Sequence, residues 1–261
     1  MTQAPLLADY DSQLRTDAEM AGATALTRLG PLHLGTFDGA RGHVSYRDLD
    51  GADAEQVRAW VGETLAHYRR HGVVRDLEWK TRGHDHAPGL HEALVTHGFE
   101  PGEPESVMVG ETRRLAVDAE PPAGVALRRV SDEADVRAMC AMQDEVFGPE
   151  VSGDTVEGLL RRLREADTTE LWVAEAAGAV VAAGRLEVVE HSAFAGLWGG
   201  ATLPGWRGRG IYRALTAVRS RSALARGRTL LHSDCTEDSR PILERSGMVR
   251  VSTTTPYRIR L

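Results

Sequence analysis

The residues best placed to do chemistry in this chain are Arg207, Gly208, Arg209, Gly210 and Arg213. They lie between an apolar run ending near Leu203-Pro204 and a segment with helical periodicity beginning at about Arg209. A strand feeding a glycine-rich turn at a helix start makes an anion site. The first turn of a helix has N–H groups without acceptors, and its dipole adds about half a positive charge. Gly208 and Gly210 leave the main chain uncovered, so a phosphate can approach closely. The arginines add fixed charge and forked donors. No Gly-Lys-Ser/Thr follows, so the turn is not a Walker A loop, and its glycines do not fall as G-x-G-x-x-G.

Metal and thiol chemistry find less support. His84, His86, His91 and His97 cluster in sequence without a recognised ligand spacing, so no metal is expected. Cys140 and Cys235 are far apart and suggest neither a disulfide framework nor a cysteine-rich metal site.

The run Arg207-Gly208-Arg209-Gly210-Ile211-Tyr212, read as Arg-x-x-Gly-x-small, resembles the acyl-CoA diphosphate loop of the GNAT superfamily of N-acyltransferases. Tyr212 stands where that family usually has Gly or Ala. The resemblance implies that acetyl-CoA or another acyl-CoA is the co-substrate and that a small primary amine is the acceptor. It implies contacts to the coenzyme from Arg207, Gly208, Arg209, Gly210, Ile211, Tyr212 and Ser239. It also gives Gly199-Gly200 a role. Glycines inside a strand mark a bulge or a close backbone approach. In the GNAT fold such a bulge lets the pantetheine arm lie along the strand, here along Gly200, Ala201 and Thr202.

N-acyl transfer must orient the amine, remove a proton, stabilise an oxyanion and protonate the leaving thiolate. The candidates for these roles are Asp234, His232, Glu187 and Tyr257. Asp234 closes a β-prone run, Thr229–Asp234, where ligands of open α/β sheets gather, although the same carboxylate suits a turn or helix cap. Glu190, His191 and Cys235 stand nearby in sequence. The tyrosine that many members place four residues before the Gly ending the last helix is replaced by Leu243, and the Asn that often precedes it by Thr236. Tyr212 and Tyr257 are the alternative acids by residue type.

These residues need a scaffold. After Glu120-Pro-Pro-Ala-Gly124 the pattern runs strand (Val125–Arg129), helix (opening at Ser131-Asp132-Glu133, with Ser131 as cap), helix (Asp154–Arg164) and a hairpin around Gly178. It continues as strand (Phe194–Leu203), helix (Arg209–Arg226), strand, short helix (Ser239–Ser246) and closing strands (Met248–Leu261). That order is similar to the GNAT fold. The first half repeats part of it: helix Ala54–Arg70, strand Asp76–Lys80, a short helix, then a strand-like tail at Glu105–Gly110. Asp50-Gly51-Ala52-Asp53, before the long helix, is acidic and would repel a diphosphate. The fold class is therefore α/β, with an α+β mixed sheet. Two GNAT-like domains are expected, each a splayed mixed sheet flanked by helices. Residues 1–120 form a degenerate copy without the cofactor loop, and 121–261 form the acyltransferase domain.

The 261 residues suffice for two small domains, and 42% apolar content suits a packed core. A net charge of −7 argues against nucleic-acid binding. Lys80 is the only lysine, so the abundance of arginine is a feature of the whole chain. No signal-peptide pattern opens the sequence and no apolar run reaches the roughly 20 residues of a membrane span, so a cytoplasmic protein is expected. The partners expected are an acyl-CoA and a small amine, with a homodimer left open. Two rival readings are a non-catalytic CoA-binding or assembly protein and an arginine-rich nucleic-acid module.

Overall fold

The computed structural model describes residues 2–38, 40–148 and 153–261. The chain forms two compact units, Thr2–Val107 together with Arg250–Leu261, and Met108–Val249. In chain order the elements are α1 Gln3–Gln13, β1 Ala25–Leu29, β2 Leu32–Phe37, β3 Arg41–Ser45, α2 Ala54–His71, β4 Asp76–Arg82, α3 Leu90–Thr96, β5 Glu100–Pro101 and β6 Glu105–Glu111. They continue as α4 Thr112–Leu115, β7 Val125–Val130, α5 Glu133–Phe147, α6 Gly153–Glu165, β8 Thr169–Ala176, β9 Ala179–Val188 and β10 Phe194–Thr202. The last are α7 Ile211–Ala225, β11 Leu230–Cys235, α8 Arg240–Arg245 and β12 Val249–Arg260.

In the first unit β1, β2 and β3 form an antiparallel meander, and β4 joins β3 in parallel. A parallel neighbour needs a crossover, which α2 supplies. Val57, Val61, Leu65 and Tyr68 recur at helical spacing along α2 and are buried against Leu34, Val44, Leu77 and Trp79 of the sheet. The terminal strand β12 pairs antiparallel with β4, from Thr254 opposite Arg82 to Arg260 opposite Asp76. The closing segment is therefore one long strand rather than several. Its register partners Trp79 and Leu77 belong to the first unit. The boundary expected near residue 120 lies inside the second unit, after α4.

The second unit orders its strands β7-β8-β9-β10-β11. All pairs are antiparallel except β10 with β11, which are linked by α7 and run parallel. Ala177 and Gly178, with φ of 49° and 79°, make the tight β8–β9 turn, which needs positive φ at both central residues. Asp132, one residue after the expected Ser131, caps α5 by accepting the Asp135 N–H at 3.0 Å. Gly227, at φ 74°, ends α7. Its N–H bonds Leu224 O, and the Arg228 N–H bonds Ala223 O, the paired bonds of a Schellman cap. Val136, Met139 and Cys140 of α5 and Leu159 of α6 pack on one face of this sheet with Leu171, Val173 and Ala183. Ala223 of α7 and Leu243 of α8 pack with Leu186, Leu197 and Leu231 on the other.

Candidate functional site

The site begins where β10 and β11 part. Their register runs from Phe194 opposite Leu230 to Gly196 opposite His232, and no further pair follows among the described residues. Ser233 donates to Leu197 O at 2.8 Å at that point. On its other edge β10 breaks register with β9 between Trp198 and Ala201. Gly199 and Gly200 are the two residues of this irregularity, and Gly199 has a φ of 58°. Gln143 of α5 donates to Gly199 O at 2.7 Å, which fixes the bulge from one face. From the other face the ring of Tyr212 lies against Gly200, where a Cβ would stand 2.8 Å from Tyr212 Cε2. Only glycine lets that ring approach so closely.

Past the bulge, a single 3₁₀ turn at Pro204–Trp206 leads into the arginine loop. Arg207 Nε donates to Thr202 O at 3.1 Å, and the Arg209 guanidinium stacks 4.8 Å from the centre of the Trp206 ring. Gly208 and Gly210 have φ of 74° and 83°, and neither has any atom within 4 Å of where a Cβ would be. Gly210 is the N-cap of α7 without a side-chain cap, and the first helical bond here is Ala214 N–H to Gly210 O at 3.0 Å. The N–H groups of Ile211, Tyr212 and Arg213 precede that bond, so they are the orphan donors of the first turn. Consecutive amides of this kind around αL glycines form an anion cradle. Arg207, Arg209 and Arg213 are exposed around it.

Tyr212 reaches away from the cradle, toward the parting strands. It hydrogen-bonds Ser239 and packs with Leu197, Leu231 and Cys235. Burial pushes its phenol above the usual value, against the pull of the Arg219 charge and the Ser239 bond. Arg219 is 1% exposed, bonded to Leu215 O and Arg185 O at 3.1 Å each, and has no carboxylate partner among the described residues. Burial draws its guanidinium down to about 10. The Thr202 hydroxyl is buried at the end of β10, without a hydrogen-bond partner among the described residues.

The sequence candidates distribute unevenly over this geometry. Arg207 to Tyr212, Gly200, Ala201, Thr202 and Ser239 all belong to the second unit, as do His232, Asp234 and Glu187. Ala201 is buried against the α5 face and pairs in register with Ala183. His232 is 8% exposed, edge-on to Phe194 and Trp198 with centroids at 5.8 and 5.2 Å. Asp234 follows it at the carboxyl end of β11, half-buried. Glu187 is clamped between Arg162 Nη1 at 2.8 Å and Arg185 Nε at 2.7 Å. Burial raises its carboxyl, but the two arginines prevail and hold it below the usual range. A carboxylate so held is a weak base at neutral pH. Tyr257 belongs to the first unit, where its hydroxyl lies 2.9 Å from His91 Nδ1 and its ring packs among the core residues. Leu243 is 1% exposed and serves as core. Gln143, Trp206 and Arg219 were not anticipated from the sequence. The signal for Arg219 was a charged residue on the Ile211–Leu215 stripe of α7; Gln143 carried none.

No protein-family model and no curated protein sequence matches the chain. Solved structures do. A GCN5-related N-acetyltransferase from Kribbella flavida aligns over 93% of each chain at 20% identity, with a TM-score of 0.69. A GCN5-related N-acetyltransferase from Sphaerobacter thermophilus covers 88% of this chain and 76% of its own, at 16% identity and a TM-score of 0.64. A tandem GNAT protein from the clavulanic acid biosynthesis pathway covers 98% of this chain and 95% of its own, at 13% identity and a TM-score of 0.64. The fold is that of the GNAT acetyltransferases.

Proposed function

We propose that the protein is a GNAT-family N-acyltransferase that moves an acetyl or other acyl group from acyl-CoA to a small primary amine. The observation that carries this reading is the uncapped start of α7. It offers bare amides, two open glycines at positive φ and three exposed arginines at the mouth of two diverging strands. The fit to a nucleotide thioester is chemical. The cradle suits a diphosphate, and the unpaired edge of β10, with the Thr202 hydroxyl, suits an amide-bearing arm.

In this reading Gly208, Gly210 and the first α7 amides hold the diphosphate, assisted by Arg207 and Arg209. Gly200, Ala201 and Thr202 line the arm, and a bulge amide faces the thioester carbonyl and stabilises the oxyanion. Asp234 binds the acceptor ammonium and takes its proton, with His232 as groove wall or alternative base, so that the free amine is the nucleophile. The amine nitrogen attacks the carbonyl carbon, the carbon–sulfur bond breaks, and the sulfur leaves as a thiolate. Tyr212 keeps its proton at neutral pH and is the donor to that thiolate, with Ser239 orienting its hydroxyl. Tyr257 and Glu187 are the weaker candidates, one for its place in the other unit and one for its arginine clamp. The first unit, whose α2 opens on acidic residues, is the copy that does not bind coenzyme. The reaction needs no compartment other than the cytoplasm.

A second reading, a CoA-binding protein without catalysis, draws on one observation: Leu243 is core, so the usual acid is missing. Thiol release from acetyl-CoA over a panel of primary amines, followed spectrophotometrically, separates the two. Release above the hydrolytic background with any amine supports the enzyme. Binding without release leaves the binder. Absence of calorimetric binding overturns both.

A further inference from the structure

A second basic site lies in the same unit, on the α4 side of α7. A cavity of about 320 Å³ there is lined by Arg114 and Leu115 of α4, Arg213 and Thr216 of α7, and Ile242 and Arg245 of α8. That volume is near the lower end for small-molecule sites, about 300 Å³.

Its polar groups are unusual for a surface hollow. Thr216 is 3% exposed, yet its hydroxyl has no hydrogen-bond partner among the described residues. A buried hydroxyl left unpaired costs about 1–3 kcal/mol, so such groups generally serve something. Three arginines line the same hollow with little compensating charge. Arg213 and Arg245 have no carboxylate within ion-pair distance among the described residues. Arg114 has only Glu111 at 3.7 Å, and Glu111 is already 2.6 Å from Arg113. An anion in this hollow would be attracted by all three cations. Leu115 and Ile242 add apolar lining.

The position relates this cavity to the diphosphate cradle. Arg213 is three residues beyond Gly210, in the first turn of α7, and Thr216 follows it by three, on the same helix face. The helix thus carries the cradle at its tip and the cavity along its flank. An acyl-CoA bears a nucleoside 3′-phosphate beside its diphosphate. A phosphate monoester holds about −1.5 to −2 charge at pH 7 and three acceptor oxygens, which match forked arginines and a hydroxyl donor.

We infer that the Arg114–Arg213–Thr216–Arg245 cavity is a phosphate-monoester subsite for the nucleotide end of the coenzyme. This rests on the acyl-CoA reading of the cradle and adds to it a discrimination between coenzymes. The test is calorimetric titration of the full chain with acetyl-CoA, with 3′-dephospho-acetyl-CoA and with inorganic phosphate. The double variant Arg114→Ala/Arg245→Ala is titrated alongside, because both side chains are exposed and neither belongs to the cradle. The wild type is expected to bind acetyl-CoA at least about tenfold tighter than the dephospho form, and the variant to lose that preference while keeping its affinity for the dephospho form. Equal binding of both coenzymes by the wild type overturns the subsite and leaves the acyl-CoA reading intact. A preference that survives in the variant overturns the residue assignment. Inorganic phosphate binding that needs the arginines, without a coenzyme preference, marks a free-phosphate site and overturns the coenzyme source. Binding of neither coenzyme overturns this inference together with the function it rests on.

Discussion

The starts of α2 and α7 occupy matching points in two similar sequences of meander, long helix and parallel strand, and they are finished in opposite ways. At α2 the Asp53 carboxylate accepts the Gln56 N–H at 2.9 Å, and Asp48 accepts the Asp50 N–H at 2.6 Å in the turn before it. At α7 the N-cap is Gly210, with no side chain to offer, and the turn before it is arginine-rich. One helix satisfies a first-turn donor with its own cap side chain and gains about 1 kcal/mol from it. The other forgoes that stability, and its first-turn donors have no side-chain cap among the described residues. On the proposed reading, this difference separates a supporting copy of the unit from one that binds coenzyme.

Transplanting the cap attacks the comparison most severely. Gly210→Asp puts a carboxylate at the head of α7 and is expected to weaken acetyl-CoA binding about 100-fold or more by calorimetry. The space around Gly210 is open, so the fold survives, at a cost of about 1–2 kcal/mol for a side chain at positive φ. Tyr212→Phe removes the hydroxyl between Gly200 and Ser239. It is expected to lower kcat about tenfold, below the usual span for acid–base groups because a thiolate leaves readily, with KM for acetyl-CoA unchanged. A change in KM alone would reassign Tyr212 to packing.

Asp53→Ala is the reciprocal experiment. It is expected to destabilise the first unit by about 1 kcal/mol in denaturant unfolding and to leave acetyl-CoA affinity as it was. The smallest effect concerns acid. Burial raises the Glu78 carboxyl, but the hydrogen bond and charge of His43, with Lys80 and Arg258, bring it from 4.5 down to about 2. A carboxylate lowered by folding contributes stability above its unfolded value and loses it as pH falls through the folded one. The first unit is therefore expected to weaken between about pH 4.5 and 2, and Glu78→Gln to flatten that slope in pH-dependent unfolding.

The parts that were legible in the sequence are those with local causes. The arginine–glycine turn, Gly227 as a stop, the hairpin at Gly178 and the acidic turn before α2 all follow from residues within a few positions of one another. What was hidden depends on distant pairing. β12 reads as an ordinary closing strand, and nothing in Val249–Arg260 says that its register partners are Asp76 to Arg82. Tyr257 is a candidate acid by residue type alone, and that same pairing carries it to the first unit beside His91. Glu187 reads as a candidate base on a strand, because nothing in the sequence shows that Arg162 and Arg185 reach it through tertiary packing. The three strands β1 to β3 and the helix α1 went unread, since Ala25–Leu29 is mostly exposed and the apolar positions of α1 follow no strong stripe.

Amide hydrogen exchange with and without acetyl-CoA addresses the contrast between the two helix starts most directly. The account predicts slowed exchange at Gly208 to Arg213 on coenzyme addition and no change at Asp53 to Val57. Unchanged exchange at Gly208 to Arg213, or equal slowing at both helices, would contradict it.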